Sequence, residues 1–247
     1  MEVFSVSRYE DIEKITHQIK FELGDDAVLY RGTDGPLIPS IARYTQSSSV
    51  DLAVKECLLL EEFYKFYHHK YSFDEGAAKD WEVRIAAREF DLASSLMDWT
   101  CSLDIAIEFA INRFVQKNLS YTNLWVLKKP GLKQITINLK TTESFNEISE
   151  ATIVQLTQFS ETTHWHRKSV QGGYFLKQPV QNIAIPLDKN PDFESQLIQV
   201  VIPQNAVGNI WKIIANRRDL DLPSMPNKFP SDETLGKICD ALNNKYL

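Results

Sequence analysis

The sequence predicts an α+β fold, because helical patterns dominate the first half of the chain and strand patterns the second. Apolar residues recur at helical offsets through 9–21, 51–69, 79–92 and 102–114. By contrast 124–127, 135–139, 174–176 and 197–202 are short β-branched or aromatic runs bounded by turn residues. The 247 residues, 43% of them hydrophobic, suffice to bury a substantial core. No Gly/Ser-rich linker or shift in composition divides them, so one domain over 1–247 with a mixed, mostly antiparallel sheet is expected.

The first helix runs from about 9 to 21, with Ser7 as its cap, Ile12, Ile15 and Ile19 as its buried stripe, and Gly24 as its stop. Ala27, Val28 and Leu29 form a β-type run into Tyr30-Arg31-Gly32, and Gly35, Pro36 and Pro39 mark an irregular loop over 33–43. Helices follow over 51–69, through Ala53, Cys57, Leu60, Phe63, Tyr64 and Tyr67, and over 79–92, through Trp81, Ile85 and Phe90. The next carries Ile105, Ala106, Phe109, Ala110 and Phe114. The second half then reads as strands at 124–127 and 135–139, a weaker helix at 147–159, and strands at 174–176, 183–185 and 197–202. Pro203 stands at a helix start, and helices over 206–215 and 231–242 end the chain.

Net charge is −6 with a pI near 5.5, which argues against a broad phosphate-tracking surface for nucleic acid. Cys57, Cys101 and Cys239 are odd in number and widely spaced, giving neither a disulfide framework nor a zinc ribbon. The N-terminus lacks a basic and then apolar leader, and no apolar run approaches the roughly 18 residues of a membrane span. A cytoplasmic protein without a membrane anchor is expected. P-loop, serine-elbow and His-Glu-x-x-His patterns are missing, which removes those NTPases, hydrolases and zincins.

Two short motifs carry the chemistry. Tyr30-Arg31-Gly32 and Met97-Asp98-Trp99-Thr100 each set a charge beside an aromatic ring at the edge of an apolar run. Arg31 has two open readings. Its planar fork suits a diphosphate, and it equally suits a buried pair with Asp98. Asp98, Thr100 and Ser102 crowd a helix start, where any of them can satisfy free N–H groups, and Trp99 reads as a core aromatic. The run His164, Trp165, His166, Arg167 and Lys168 is the most cationic short stretch, ahead of Gln171, Gly172 and Gly173. It fits a solvated loop or a phosphate grip, and no ligand set completes a metal site there. Cys101 at the helix start lacks an assignable His partner.

The order of these motifs resembles the FRG domain family. Tyr30-Arg31-Gly32 stands for its Phe-Arg-Gly, followed by Pro39-Ser40-Ile41-Ala42-Arg43, Glu56 through Phe63, Leu96 to Thr100, Ala106 through Ala110, Arg167 through Phe175, and Lys228-Phe229-Pro230. Before Asp-Trp-Thr the family usually has Gln-His-aromatic-Gly-Leu-Pro-Thr-Arg, whereas this chain has Arg88, Glu89, Phe90, Asp91, Leu92, Ala93, Ser94 and Ser95. That exchange alters both charge and hydrogen-bonding roles.

A more distant resemblance is to ADP-ribosyltransferases of the Arg-Ser-Glu type, and it implies an ADP-ribosyltransferase-like sheet with NAD as cofactor. It implies Arg31, Thr100 and Gln171 in the catalytic positions, with Tyr30, Arg31, Gly32, Asp98, Trp99, Arg167 and Gly173 around the nucleotide. A neutral Gln171 stands where a Glu would stabilise a developing cation, and Glu161 or Glu108 replaces it only if the fold brings one near. The family resemblance implies a nucleotide or an ADP-ribosylated substrate, in a bacterial defence or toxin setting. A noncatalytic binding or regulatory module with a structural Arg-Asp core is the alternative.

Overall fold

The computed structural model describes residues 1–45, 47–68, 77–137, 144–156, 173–221 and 233–247. Its strands are β1 (Glu2–Ser5), β2 (Val28–Thr33), β3 (Met97–Thr100), β4 (Tyr121–Lys128), β5 (Lys133–Ile137), β6 (Thr152–Leu156), β7 (Gly173–Lys177) and β8 (Leu197–Pro203). The helices are α1 (Tyr9–Leu23), α2 (Ile41–Tyr44), α3 (Ser49–Tyr67), α4 (Ala77–Glu89), α5 (Leu103–Lys117), α6 (Gln204–Asp221) and α7 (Glu233–Tyr246). The eight strands form one sheet in the order β1-β8-β4-β2-β3-β7-β6-β5. Only the outermost pairings, β1 with β8 and β5 with β6, are parallel. The expected α+β class and mostly antiparallel sheet are what the chain adopts.

Alternation along β2 sends its residues to opposite faces of the sheet. Val28 and Tyr30 join Tyr9, Ile12, Ile107, Ile111, Ile210 and Ile214 from α1, α5 and α6. Leu29 faces the other way, into a cluster with Met97, Trp99, Trp125, Leu127 and Phe193. Trp81 and Ile85 of α4 cover Phe175 and Val154 further along the sheet. A separate helical core joins α3, α4 and α7 through Leu52, Phe63, Tyr67, Phe90, Leu235 and Leu242.

Local caps explain several boundaries. The cap of α1 is Arg8 rather than Ser7, with the Asp11 carboxylate accepting from the Ser7 and Arg8 main-chain N–H groups. Gly24 ends that helix at φ 101°, a conformation a side chain would resist, while its N–H donates to the Lys20 carbonyl at 2.7 Å. Ser48 caps α3, its Oγ accepting from the Asp51 N–H at 3.2 Å.

Two expected elements change, and one unexpected strand forms. The helix expected over 147–159 is replaced in its described part, 147–156: a 3₁₀ turn at Phe145–Glu147 leads into β6, where Ile153 and Val154 fill opposite faces of the sheet. The strand expected at 183–185 is a turn after the 3₁₀ segment Val180–Asn182, between Pro179 and Pro186, and the Ala184 N–H donates to Ser49 Oγ at 3.0 Å. β1 has no strong sequence signal, since it is four residues long and mostly exposed, and it exists by pairing along β8. Among the described residues no helix is long and apolar enough to cross a membrane.

Helix α5 lies directly on β2 at Gly32. A Cβ there would lie 2.0 Å from the Ala106 carbonyl oxygen and 2.5 Å from the Ala110 nitrogen, both main-chain atoms of α5. β2 and α5 can touch this closely only without a side chain at 32. Gly32→Ala is therefore expected to cost at least about 3 kcal/mol, lowering the Tm by on the order of 10 °C in a thermal melt.

Candidate functional site

The two motifs lie side by side at the centre of the sheet. Tyr30 of β2 pairs with Thr100 of β3, and Thr100 pairs in turn with Gly173 at the start of β7. Tyr30, Arg31, Gly32, Asp98, Trp99, Thr100 and Gly173 are thus brought together on three adjacent strands. Gln171 and Arg167, like His164, His166, Glu161 and Lys228-Phe229-Pro230, lie outside the described residues. Glu108 is buried on α5.

Most of these side chains serve the architecture. Tyr30 is 1% exposed, and burial pushes its phenol up to about 12. Trp99 is buried among Leu29, Met97, Trp125 and Leu176. Thr100 Oγ1 accepts from the Ser102 N–H at 3.0 Å, and Ser102 Oγ accepts from the Ile105 N–H at 3.4 Å. Ser102 therefore caps α5 and Thr100 holds the cap residue in place, a job the sequence left open among Asp98, Thr100 and Ser102. Cys101 is exposed at the bend between β3 and α5.

Arg31 and Asp98 do meet, but through the backbone: Arg31 Nη1 donates to the Asp98 main-chain carbonyl. The Asp98 carboxylate accepts from Arg88 Nη2 at 2.7 Å. Arg88 also lies 3.6 Å from the Asp91 carboxylate, and the Asp98 charge raises the Arg88 guanidinium above its ordinary range. Arg88 is the first residue of the stretch in which this chain departs from the usual FRG pattern. Its partner could not be read from sequence, because α4 and β3 are separate elements whose relative placement decides the contact.

Glu56 carries a second function that sequence reasoning passed over. Its Oε1 accepts from Ser94 Oγ at 2.9 Å and from the Ser95 N–H at 2.7 Å, while Arg84 Nη1 stands 3.9 Å from Oε2. Ser40 Oγ takes the Ser94 N–H at 2.9 Å, and the Ile41 N–H donates to the Ser94 carbonyl at 3.2 Å. On the other side Asn243 Oδ1 accepts from the Ala93 N–H at 2.9 Å. Helices α2, α3 and α7 thereby clamp the segment that enters β3. The signal was available in sequence as a carboxylate set within the apolar stripe of Leu52, Leu59, Leu60 and Phe63.

The family model of the FRG domain matches residues 26–118, less than half of the chain. The matched stretch runs from just before β2 to the end of α5 at Asn118 and holds both central motifs together with Glu56 and Arg88. The chain thus carries an FRG domain over these residues, with β4 to β8 contributed from beyond it. No curated protein and no solved structure matches the chain.

The pairing of Arg88 with Asp98 has a direct check. Arg88→Ala and Asp98→Asn, combined in a double-mutant cycle by chemical denaturation, are expected to show a coupling of about 1–3 kcal/mol. Additive effects would mean that the two charges do not act as a pair.

Proposed function

We propose that the chain is a cytoplasmic, nucleotide-binding FRG protein of the ADP-ribosyltransferase-like kind, taking NAD or an ADP-ribosylated substrate, in a bacterial defence or toxin setting. The observation that carries this reading is the alignment of Arg31, Thr100 and the start of β7 across three neighbouring strands. Arg31 is only partly buried, and its bond to a main-chain carbonyl fixes the direction of the guanidinium. A fixed guanidinium suits a phosphate, because the cost of orienting it is met in the folded protein. Thr100 is assigned to the adjoining strand edge through its main chain, since it pairs with Tyr30 and its hydroxyl is engaged by Ser102. Gln171, two residues before Gly173, is assigned to the ribose hydroxyl, with Arg167 near the phosphates.

A neutral Gln171 gives no charge to a developing oxocarbenium ion, so binding is expected to exceed turnover. Isothermal titration with NAD and with ADP-ribose, together with chromatography for released nicotinamide, tests this. The native chain should bind, and Arg31→Ala should bind about 10- to 100-fold more weakly for the loss of charge-assisted hydrogen bonds worth roughly 1.5–3 kcal/mol. An absence of binding by the native chain, or equal binding by the variant, would sink the reading.

One observation favours a noncatalytic module instead. Tyr30, Gly32, Trp99 and Thr100 already hold the core, the α5 contact and the α5 cap. Under that alternative Arg31→Ala lowers the Tm strongly, and neither ligand gives heat with the native chain.

A further inference from the structure

A second polar site lies between α3, α4 and the end of β7, away from Arg31. A small enclosed chamber of about 30 Å³ is lined by Glu56, Arg84, Ser95, Phe145, Lys177 and Gln178. An open groove of about 350 Å³ runs beside it between α3 and α4, and Cys57 and Arg84 border both. Two buried side chains that line the chamber lack partners. Both amide atoms of Gln178, 1% exposed, and the hydroxyl of Ser95, 2% exposed, make no hydrogen bond. Leaving such groups buried and unmatched is costly, which is why an unsatisfied cluster facing a cavity points to something that satisfies it.

The balance of charge and donors says what that is. Lys177 is 2% exposed and donates to the Ile148 carbonyl at 2.7 Å, with its ammonium 4.7 Å from the centre of the Phe145 ring. Neither contact supplies a countercharge. Burial and the nearby Arg84 bring Lys177 down to about 8, so it remains mostly protonated at neutral pH. Arg84 brings a second cation, its guanidinium carbon 3.9 Å from the same ring centre. Of the acidic groups, Glu56 is engaged by Ser94, Ser95 and Arg84, and Asp80 sits outside, 3.0 Å from Arg84 Nε. Glu56 also acts on Lys177 from a distance, but among the described residues no carboxylate stands at ion-pair distance from that ammonium, so Lys177, the Gln178 amide and the Ser95 hydroxyl are the chamber's unmatched donors.

Size narrows the choice further. A water-sized sphere needs roughly 10–15 Å³, so a chamber of about 30 Å³ suits the two oxygens of a carboxylate better than the four of a phosphate. The groove beyond presents Leu60, Val83 and the Tyr64 ring, with Glu61 and Asp80 as acidic groups. An apolar stem ending in a cation matches that surface, whereas a second anionic group would be repelled.

We propose that this chamber and groove bind a small amino-carboxylate, with the carboxylate set against Lys177, Arg84, Gln178 and Ser95 and the ammonium toward Glu61 and Asp80. The site is separate from the Arg31 face and does not depend on nucleotide binding there. 4-Aminobutyrate is a suitable probe, with butyrate, succinate and inorganic phosphate as comparisons at constant ionic strength. Near tenfold its Kd, 4-aminobutyrate should raise the Tm of the full chain by about 3–6 °C. Butyrate should do less, and succinate and phosphate should have no effect. 4-Aminobutyrate should also slow alkylation of Cys57 by iodoacetamide, with exposed Cys101 as the internal control. Gln178→Leu should abolish both effects, and Ser95→Ala should weaken both and serves if the first variant does not fold. No shift and no protection with 4-aminobutyrate, as for a chamber that holds only water, would overturn the proposal. So would responses undiminished in whichever of the variants folds.

Discussion

The contact between Gly32 and the backbone of α5 is the constraint on which the centre of the molecule depends. With only hydrogen on the Gly32 Cα, β2 lies against Ala106 and Ala110, and helix and strand meet almost backbone to backbone. That approach fixes where α5 begins, and hence where Ser102 and Thr100 must stand to cap it. Thr100 in turn sets the register of β3 between β2 and β7. A glycine that looks like a turn residue in sequence is thus a packing residue, and the arginine before it inherits a fixed position.

A second anchor acts on the other end of β3. The carboxylate of Glu56 holds Ser94 and Ser95, Ser40 holds Ser94 from the α2 side, and Asn243 holds Ala93 from α7. Leu96 and Met97 then enter the core with their backbone direction already determined. A buried carboxylate is stable in this role because two hydrogen bonds and Arg84 compensate its desolvation; removing one partner strands the other. The separate motifs at 39–43, 56–63 and 96–100 are three sides of one junction, which explains why their order along the chain carried more information than any one of them.

The legible part of the fold was what local periodicity determines. The helices at 9–23, 49–67, 77–89 and 103–117, and the strands β4, β7 and β8, all follow from spacing of apolar residues. Residues 147–159 misled because Ile153 and Val154 belong to opposite sheet faces, a fact fixed by β5 and β7 on either side and not by the segment itself. Ile183 and Ile185 look like a strand and are turned by flanking prolines toward α3. For the candidate site, a contact between Arg31 and Asp98 was one of two open readings, while the presence of caps near Ser102 was legible. The choice of partner was not, since whether Asp98 faces Arg31 or Arg88 depends on how α4 crosses the sheet.

That choice of partner changes what the central charges can do. Had the Asp98 carboxylate closed on Arg31, the guanidinium would be neutralised by that carboxylate, and an incoming phosphate would have to displace it. Arg88 takes the carboxylate instead, and Arg31 is held by a carbonyl dipole. A carbonyl dipole orients a cation without the opposing unit charge that a carboxylate in the same place would bring. Arg88, the first residue of the stretch that departs from the usual FRG pattern, therefore bears on the FRG arginine indirectly, by pairing with the Asp98 carboxylate. An exchange that appears from sequence to dismantle a site instead supplies the partner of the aspartate at its centre.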